Sequence, residues 1–113
     1  MANLEQCEVS GVKVLTLKGS LSQAELADVQ KSFYDATSEA EAAVVLDLSN
    51  VDYLSTPAIA MFLDVAKTVK ATGGRIVATG PQPRVGDVLK RLRLDEVLPV
   101  TGSVNEGVRR VQG

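Results

Sequence analysis

The chain has no histidine and no tryptophan, and it contains one cysteine. Without histidine it lacks the side chain that most often serves as general base and most often binds transition metals. One cysteine cannot close an internal disulfide, and alone it supplies too few donors for a zinc site. Cys7 lies in an alternating apolar–polar stretch, which points to a buried structural thiol in a reducing compartment. The phosphate cradles are missing too, since neither GxxxxGKS/T nor GxGxxG occurs. Gly73-Gly74 reads as a helix stop instead. Asp47 and Asp52 read as a strand end and a turn start, not as an acid/base pair or a magnesium site. The expectation is a protein that is not an enzyme, with no catalytic residues, no cofactor and no metal.

Surplus charge and long apolar runs are also lacking. A net charge of −2 argues against nucleic acid, whose phosphates demand an excess of Lys and Arg. One local basic cluster, Arg84, Lys90, Arg91 and Arg93, is offset by Asp87, Asp95 and Glu96 and reads as a solvated helix face. No apolar run approaches the ~18 residues of a membrane span. The first residues, Met1 to Glu5, lack the basic and apolar regions of a signal peptide. A cytoplasmic location without membrane insertion is expected.

What remains is a chain of ordinary globular composition, 45% apolar and 23% charged, whose 113 residues suit one domain over 1–113. A domain of this length buries roughly 65% of its unfolded surface, so it folds without staples. Aromatics make up only 4%, so Val, Leu, Ile and Ala must build the core.

Leu4 to Val9 and Val12 to Leu17 are β-rich runs joined through Ser10-Gly11, a hairpin signal. Gly19-Ser20-Leu21 leads to Ser22 with Glu25 three residues on, the pattern of a capping box. Leu26, Val29, Phe33 and Ala36 then predict a helix over 23–37. The apolar run Ala42 to Leu46 predicts a central strand ended by Asp47-Leu48-Ser49-Asn50. Ser55-Thr56-Pro57 signals a helix start, with Thr56 at the cap and Pro57 in the first helical position. Ile59, Phe62, Leu63, Ala66 and Val69 mark the inward face of that helix, which leaves Ala60, Met61, Asp64 and Lys67 outside.

Arg75 to Thr79 predicts a strand closed by Gly80-Pro81. Val85, Val88, Leu89 and Leu92 fit a third helix, and Val97 to Val100 a short strand that Pro99 places at an edge. Ser103 to Glu106 repeats the capping pattern before a terminal helix striped by Val104, Val108 and Val111. Ser38 to Glu41 shows the same pattern but precedes a strand, so it is read as false. The order ββαβαβαβα implies an α/β fold with a mixed, mostly parallel sheet and helices packed on it.

The local feature with most chemical potential is Leu54-Ser55-Thr56-Pro57-Ala58. A hydroxyl here can cap the helix, contributing about 1 kcal/mol. It can also accept a phosphoryl group, since about −1.5 to −2 charges are tolerated at the positive end of a helix. The two roles are compatible.

From Leu4 to Val111 the chain resembles the STAS domain, named for sulfate transporters and anti-sigma factor antagonists. The resemblance is carried by Val44 through Leu54, by Gly73-Gly74-Arg75-Ile76-Val77, by Leu92 through Val100, and by Gly19-Ser20-Leu21. It implies a STAS-like fold and, for a bacterial stand-alone domain, the role of an anti-sigma factor antagonist. The partner would be a kinase-type anti-sigma factor, sequestered by the unphosphorylated domain, with a metal-dependent phosphatase reversing the modification. The family's acceptor loop reads Asp-Ser-Ser/Thr-Gly, which by position makes Thr56 the acceptor, with Ser55 second. Ser55 replaces the Asp, Pro57 the second hydroxyl residue and Ala58 the Gly. Ser55, Thr56, Met61 and Asp64 are the expected partner-binding residues. The same departures favour an alternative, a non-switching scaffold or accessory subunit of a membrane-transport ATPase.

Overall fold

The structure is a computed structural model that describes residues 2–112. Strand β1 (Asn3–Val9) and strand β2 (Val12–Leu21) form an antiparallel hairpin. Its two-residue connection puts Ser10 at φ 53° and Gly11 at φ 80°. Positive φ at both positions matches the right-handed twist of the strands it joins. Helix α1 (Gln23–Ala36), strand β3 (Ala43–Leu54), helix α2 (Thr56–Ala71) and strand β4 (Arg75–Thr79) follow. Helix α3 (Pro83–Arg91), a single 3₁₀ turn (Leu94–Glu96), strand β5 (Val100–Thr101) and helix α4 (Val104–Gln112) complete the chain. This is the expected ββαβαβαβα order.

The strands lie in the sheet in chain order, β1-β2-β3-β4-β5, and every pairing after the hairpin is parallel. Each crossover therefore steps in the same direction across the sheet. Right-handed connection then forces α1, α2 and α3 onto one face. There they bury the larger core, with Phe33 of α1 and Phe62 of α2 meeting edge to face at 5.8 Å between ring centroids. Helix α4 returns beneath the other face and seals Val12, Val14, Val45 and Val77 with Val108 and Val111. Gly107 permits that contact, because a Cβ there would stand 2.7 Å from Thr79 Cγ2.

Several boundaries differ from the sequence reading. Strand β3 does not end at Asp47–Asn50 but runs on to Leu54. Register shifts opposite Lys18 and Ser20 absorb the irregularity, and Asp47 Oδ1 accepts from the Ser49 amide (3.0 Å) and hydroxyl (2.8 Å). Gly19-Ser20-Leu21 accordingly belongs to β2. The last strand is Val100–Thr101 because Pro99 has no N–H to contribute, although its carbonyl accepts from Ala78 (2.8 Å). Leu92 is exposed, since α3 ends at Arg91. Cys7 is exposed rather than buried: it lies on β1 at the sheet edge, which α4 does not cover.

Gly73-Gly74 does stop α2. The Gly73 amide bonds to Lys70 (3.1 Å) and the Gly74 amide to Val69 (2.8 Å), a Schellman closure with Gly73 at φ 81°.

Candidate functional site

Strands β2 and β3 are parallel neighbours, so the helices that follow them begin at the same rim of the sheet. Helix α1 is capped by Ser22, whose hydroxyl accepts from the Glu25 amide (3.3 Å). Helix α2 begins just beyond the last pair, Leu21 and Leu54. Two positive helix ends therefore share this rim.

The residues after Leu54 divide the labour differently from the sequence reading. The Ser55 amide donates to Leu21 O (3.0 Å), which fixes Ser55 in an extended conformation at φ −76°, ψ 166°. From there its hydroxyl accepts from the Ala58 amide (3.3 Å), and its carbonyl from the Ile59 amide (3.0 Å). Ser55 is thus the cap, and it is buried. Thr56 is the first helical residue and Pro57 the second. The pinning of Ser55 by β2 moves the helix start one residue earlier than expected.

Thr56 is exposed, and its hydroxyl has no hydrogen-bond partner among the described residues. An α-helix ordinarily leaves four free amides at its start. Here Pro57 has none, Ala58 is capped and Ile59 is bonded, so Thr56 supplies the one amide left free in that turn.

On the last residues of β3, Asp52 accepts from the Ser20 hydroxyl (2.6 Å), and Tyr53 is 48% exposed. Farther along α2, Asp64 is exposed and accepts from the Tyr34 hydroxyl (3.1 Å), which ties α2 to α1. Burial, then the hydrogen bond and charge of Asp64, raise the Tyr34 phenol above its ordinary value of 10.0. Asp64 lies eight positions beyond Thr56, about 12 Å along the helix.

Met61 does not face outward. It is 3% exposed and belongs to the main core. The buried stripe is Ala58, Met61, Phe62, Val65, Ala66 and Val69, so the inward face is rotated from the one expected. Met61 still bears on the surface from below: with Leu26 it lines an open groove between α1 and α2 that also touches Pro57, Ala60 and Asp64. Thr56 and Asp64 are thus both exposed on α2, about 12 Å apart along its axis, whereas Ser55 and Met61 are buried. Sequence reasoning missed Tyr53 and Tyr34. The signal for Tyr53 was an aromatic side chain in a polar stretch directly before Leu54-Ser55.

Among the described residues no group of three or more His, Cys, Asp or Glu is placed to hold a metal. No helix among them is long and apolar enough to cross a membrane.

Comparison with known proteins gives a consistent result. A family model described as the STAS domain matches residues 3–107. BtrV of Bordetella bronchiseptica, by name a candidate anti-sigma factor antagonist, is 26% identical over 96 residues, covering 85% of this chain and 83% of BtrV. The crystal structure of TM1081 from Thermotoga maritima, described in similar words, superposes with a TM-score of 0.88 at 19% identity, over 97% of this chain and 95% of that one. The anti-sigma factor antagonist SpoIIAA in its unphosphorylated form gives 0.78 at 17% identity, over 98% and 97%. Phosphorylated Bacillus SpoIIAA gives 0.72 at 15%, over 96% and 99%. Identities this low in the solved structures speak for the fold alone.

Proposed function

The chain belongs to the STAS domain family, and from that premise we propose that it is a binding module of the anti-sigma factor antagonist type, switched by phosphorylation of Thr56. It catalyses no reaction itself. Unphosphorylated, it sequesters a kinase-type anti-sigma factor on the surface formed by Thr56, Asp64 and the groove above Met61. Phosphorylation by that kinase releases it, and a metal-dependent phosphatase resets it. The names of BtrV and SpoIIAA, and the existence of SpoIIAA in two phosphorylation states, support this reading.

The observation that carries it is the division between two adjacent hydroxyls. Ser55 is buried and committed to the cap, whereas Thr56 is exposed and uncommitted. A phosphate on Thr56 would add about −1.5 to −2 charges at this exposed position. With one free amide in the first turn, the helix offers little to hold that charge against its own surface. The phosphate therefore stands in solvent, where it repels an acidic or apolar partner surface by charge and by desolvation.

Pro57 favours a second reading. It stiffens the acceptor loop and removes one amide from the helix start, as suits a constitutive scaffold or an accessory subunit of a transport ATPase.

The test is incubation of the domain with the kinase-type anti-sigma factor of its own host and ATP, followed by mapping of the modified residue. Phosphate on Thr56, together with loss of the complex in Thr56→Glu and its retention in Thr56→Ala, is the expected outcome. Absence of modification, with equal binding by both variants, would leave the scaffold reading in place.

A further inference from the structure

At the opposite end of α2 the sheet has an opening that the site above does not use. Strand β5 pairs only with Ala78 and Thr79, so the first half of β4 has an uncovered outer edge. Amides along a strand alternate between its two edges. The amides of Ala78 and Gly80 reach Pro99 and Thr101 on the β5 side, while that of Arg75 reaches Ala42 on the β3 side. Ile76 therefore directs its N–H and C=O toward the uncovered edge, where neither has a partner among the described residues. Buried main-chain groups are seldom left so, and Ile76 is 6% exposed.

This edge forms one wall of a cavity of about 220 Å³. Ala66, Val77, Val97 and Val111 give it an apolar lining, and Pro99 adds to it. Its charged lining is one-sided: Lys70, Arg75 and Arg110 against Glu96 alone, in a chain whose net charge is −2. None of the three cations has an ion pair among the described residues. An apolar cavity of about 150 Å³ accepts benzene, whereas cofactor-sized ligands occupy roughly 300–1,000 Å³. The volume suits a body of benzoate to octanoate size.

We propose that this cavity binds a small amphiphilic carboxylate. Its apolar body lies on Ala66, Val97 and Val111, and its carboxylate accepts from the Ile76 amide among Lys70, Arg75 and Arg110. Charge complementarity selects an anion over a neutral or cationic molecule of the same shape. The site lies about 20 Å from Thr56 along α2, the rise of its fourteen intervening steps, and does not rest on the phosphorylation reading.

Amide NMR of the whole isotope-labelled chain, titrated with octanoate, tests this. Saturable shifts centred on Ile76, Val77 and Val97 are expected, with octanol weaker and octylammonium weaker still. Arg75 and Arg110 are exposed, so Arg75→Glu/Arg110→Glu should keep the native spectrum while weakening octanoate by about tenfold or more. Val97→Phe, which fills the cavity, should abolish the shifts. The proposal is overturned if octanoate gives no saturable shift, if octylammonium binds as well, or if the charge-reversed protein binds unchanged. Shifts that follow protein concentration rather than octanoate would also overturn it, because the edge would then be pairing with a second chain.

Discussion

Replacing Ser55 or Thr56 by alanine should separate the roles of two adjacent hydroxyls. Ser55→Ala removes the acceptor of the Ala58 amide, a bond of 3.3 Å at a fully buried nitrogen-bearing residue. Loss of a helix cap costs about 0.5–2 kcal/mol, and the buried amide left behind places this one at about 1–2 kcal/mol. Unfolding entropy of about 2.1 cal/mol/K per residue gives about 0.24 kcal/mol/K for 113 residues, so each kcal/mol moves Tm by about 4 °C. The expected loss is about 4–8 °C. Ser55→Gly should recover part of it, since removing the Cβ opens a path for water to the Ala58 amide. Thr56→Ala removes an exposed hydroxyl with no partner and should stay within about 0.5 kcal/mol, or about 2 °C. Thermal unfolding followed by circular dichroism measures all three. If Thr56→Ala costs as much as Ser55→Ala, the cap has been assigned to the wrong residue, and the case for Thr56 as the uncommitted acceptor goes with it.

Two glycines in helices should respond with opposite signs. Gly107→Ala forces a Cβ within 2.7 Å of Thr79 Cγ2 and 3.1 Å of Val45 Cγ1, so overpacking of about 1–3 kcal/mol should outweigh a helix-propensity gain of about 1. Gly86→Ala in α3 meets only Pro81 Cγ at 3.7 Å and should stabilise by up to about 1 kcal/mol; denaturant titration of the pair checks both signs. In a Tyr53→Phe background the remaining tyrosine is Tyr34, and its tyrosinate absorbance should titrate above 10.0, then fall in Asp64→Asn. Because the folded value is raised, this group's contribution to stability is present below the unfolded value and is lost as pH climbs through the folded one. An unchanged midpoint in Asp64→Asn would remove the Tyr34–Asp64 tie from consideration.

Elements with a local cause were legible in the sequence. Ser10-Gly11, the Ser22 cap, the apolar run of β3 and the Gly73-Gly74 stop each rest on neighbours in the chain, and each holds in the structure. What was not legible depends on distant partners. Ser55 and Thr56 are equivalent candidates in isolation, and the choice between them is made by Leu21, on another strand. Helix α2 carries two overlapping apolar stripes, so only its packing between α1 and the sheet decides that Met61 is buried while Ile59 is half-buried. Cys7 alternates correctly for a buried strand, but burial required a helix over the hairpin edge, and α4 stops short of it. Asp47 and Asn50 carry turn chemistry that the register shifts of β2 accommodate within a strand.

The order of strands across the sheet also bears on how the chain assembles. Because spatial order equals chain order, no strand has to be inserted between two that are already paired. Each new strand joins the edge left by its predecessor, with the intervening helix dropping onto a single side. A ribosome could release this sheet row by row, and every row would find its neighbour waiting. Helix α4 follows all five strands, so until it closes, the valines of the second face stay bare to water and to other nascent chains. Closure of the nine-residue α4 is then the step that takes this second valine face out of water.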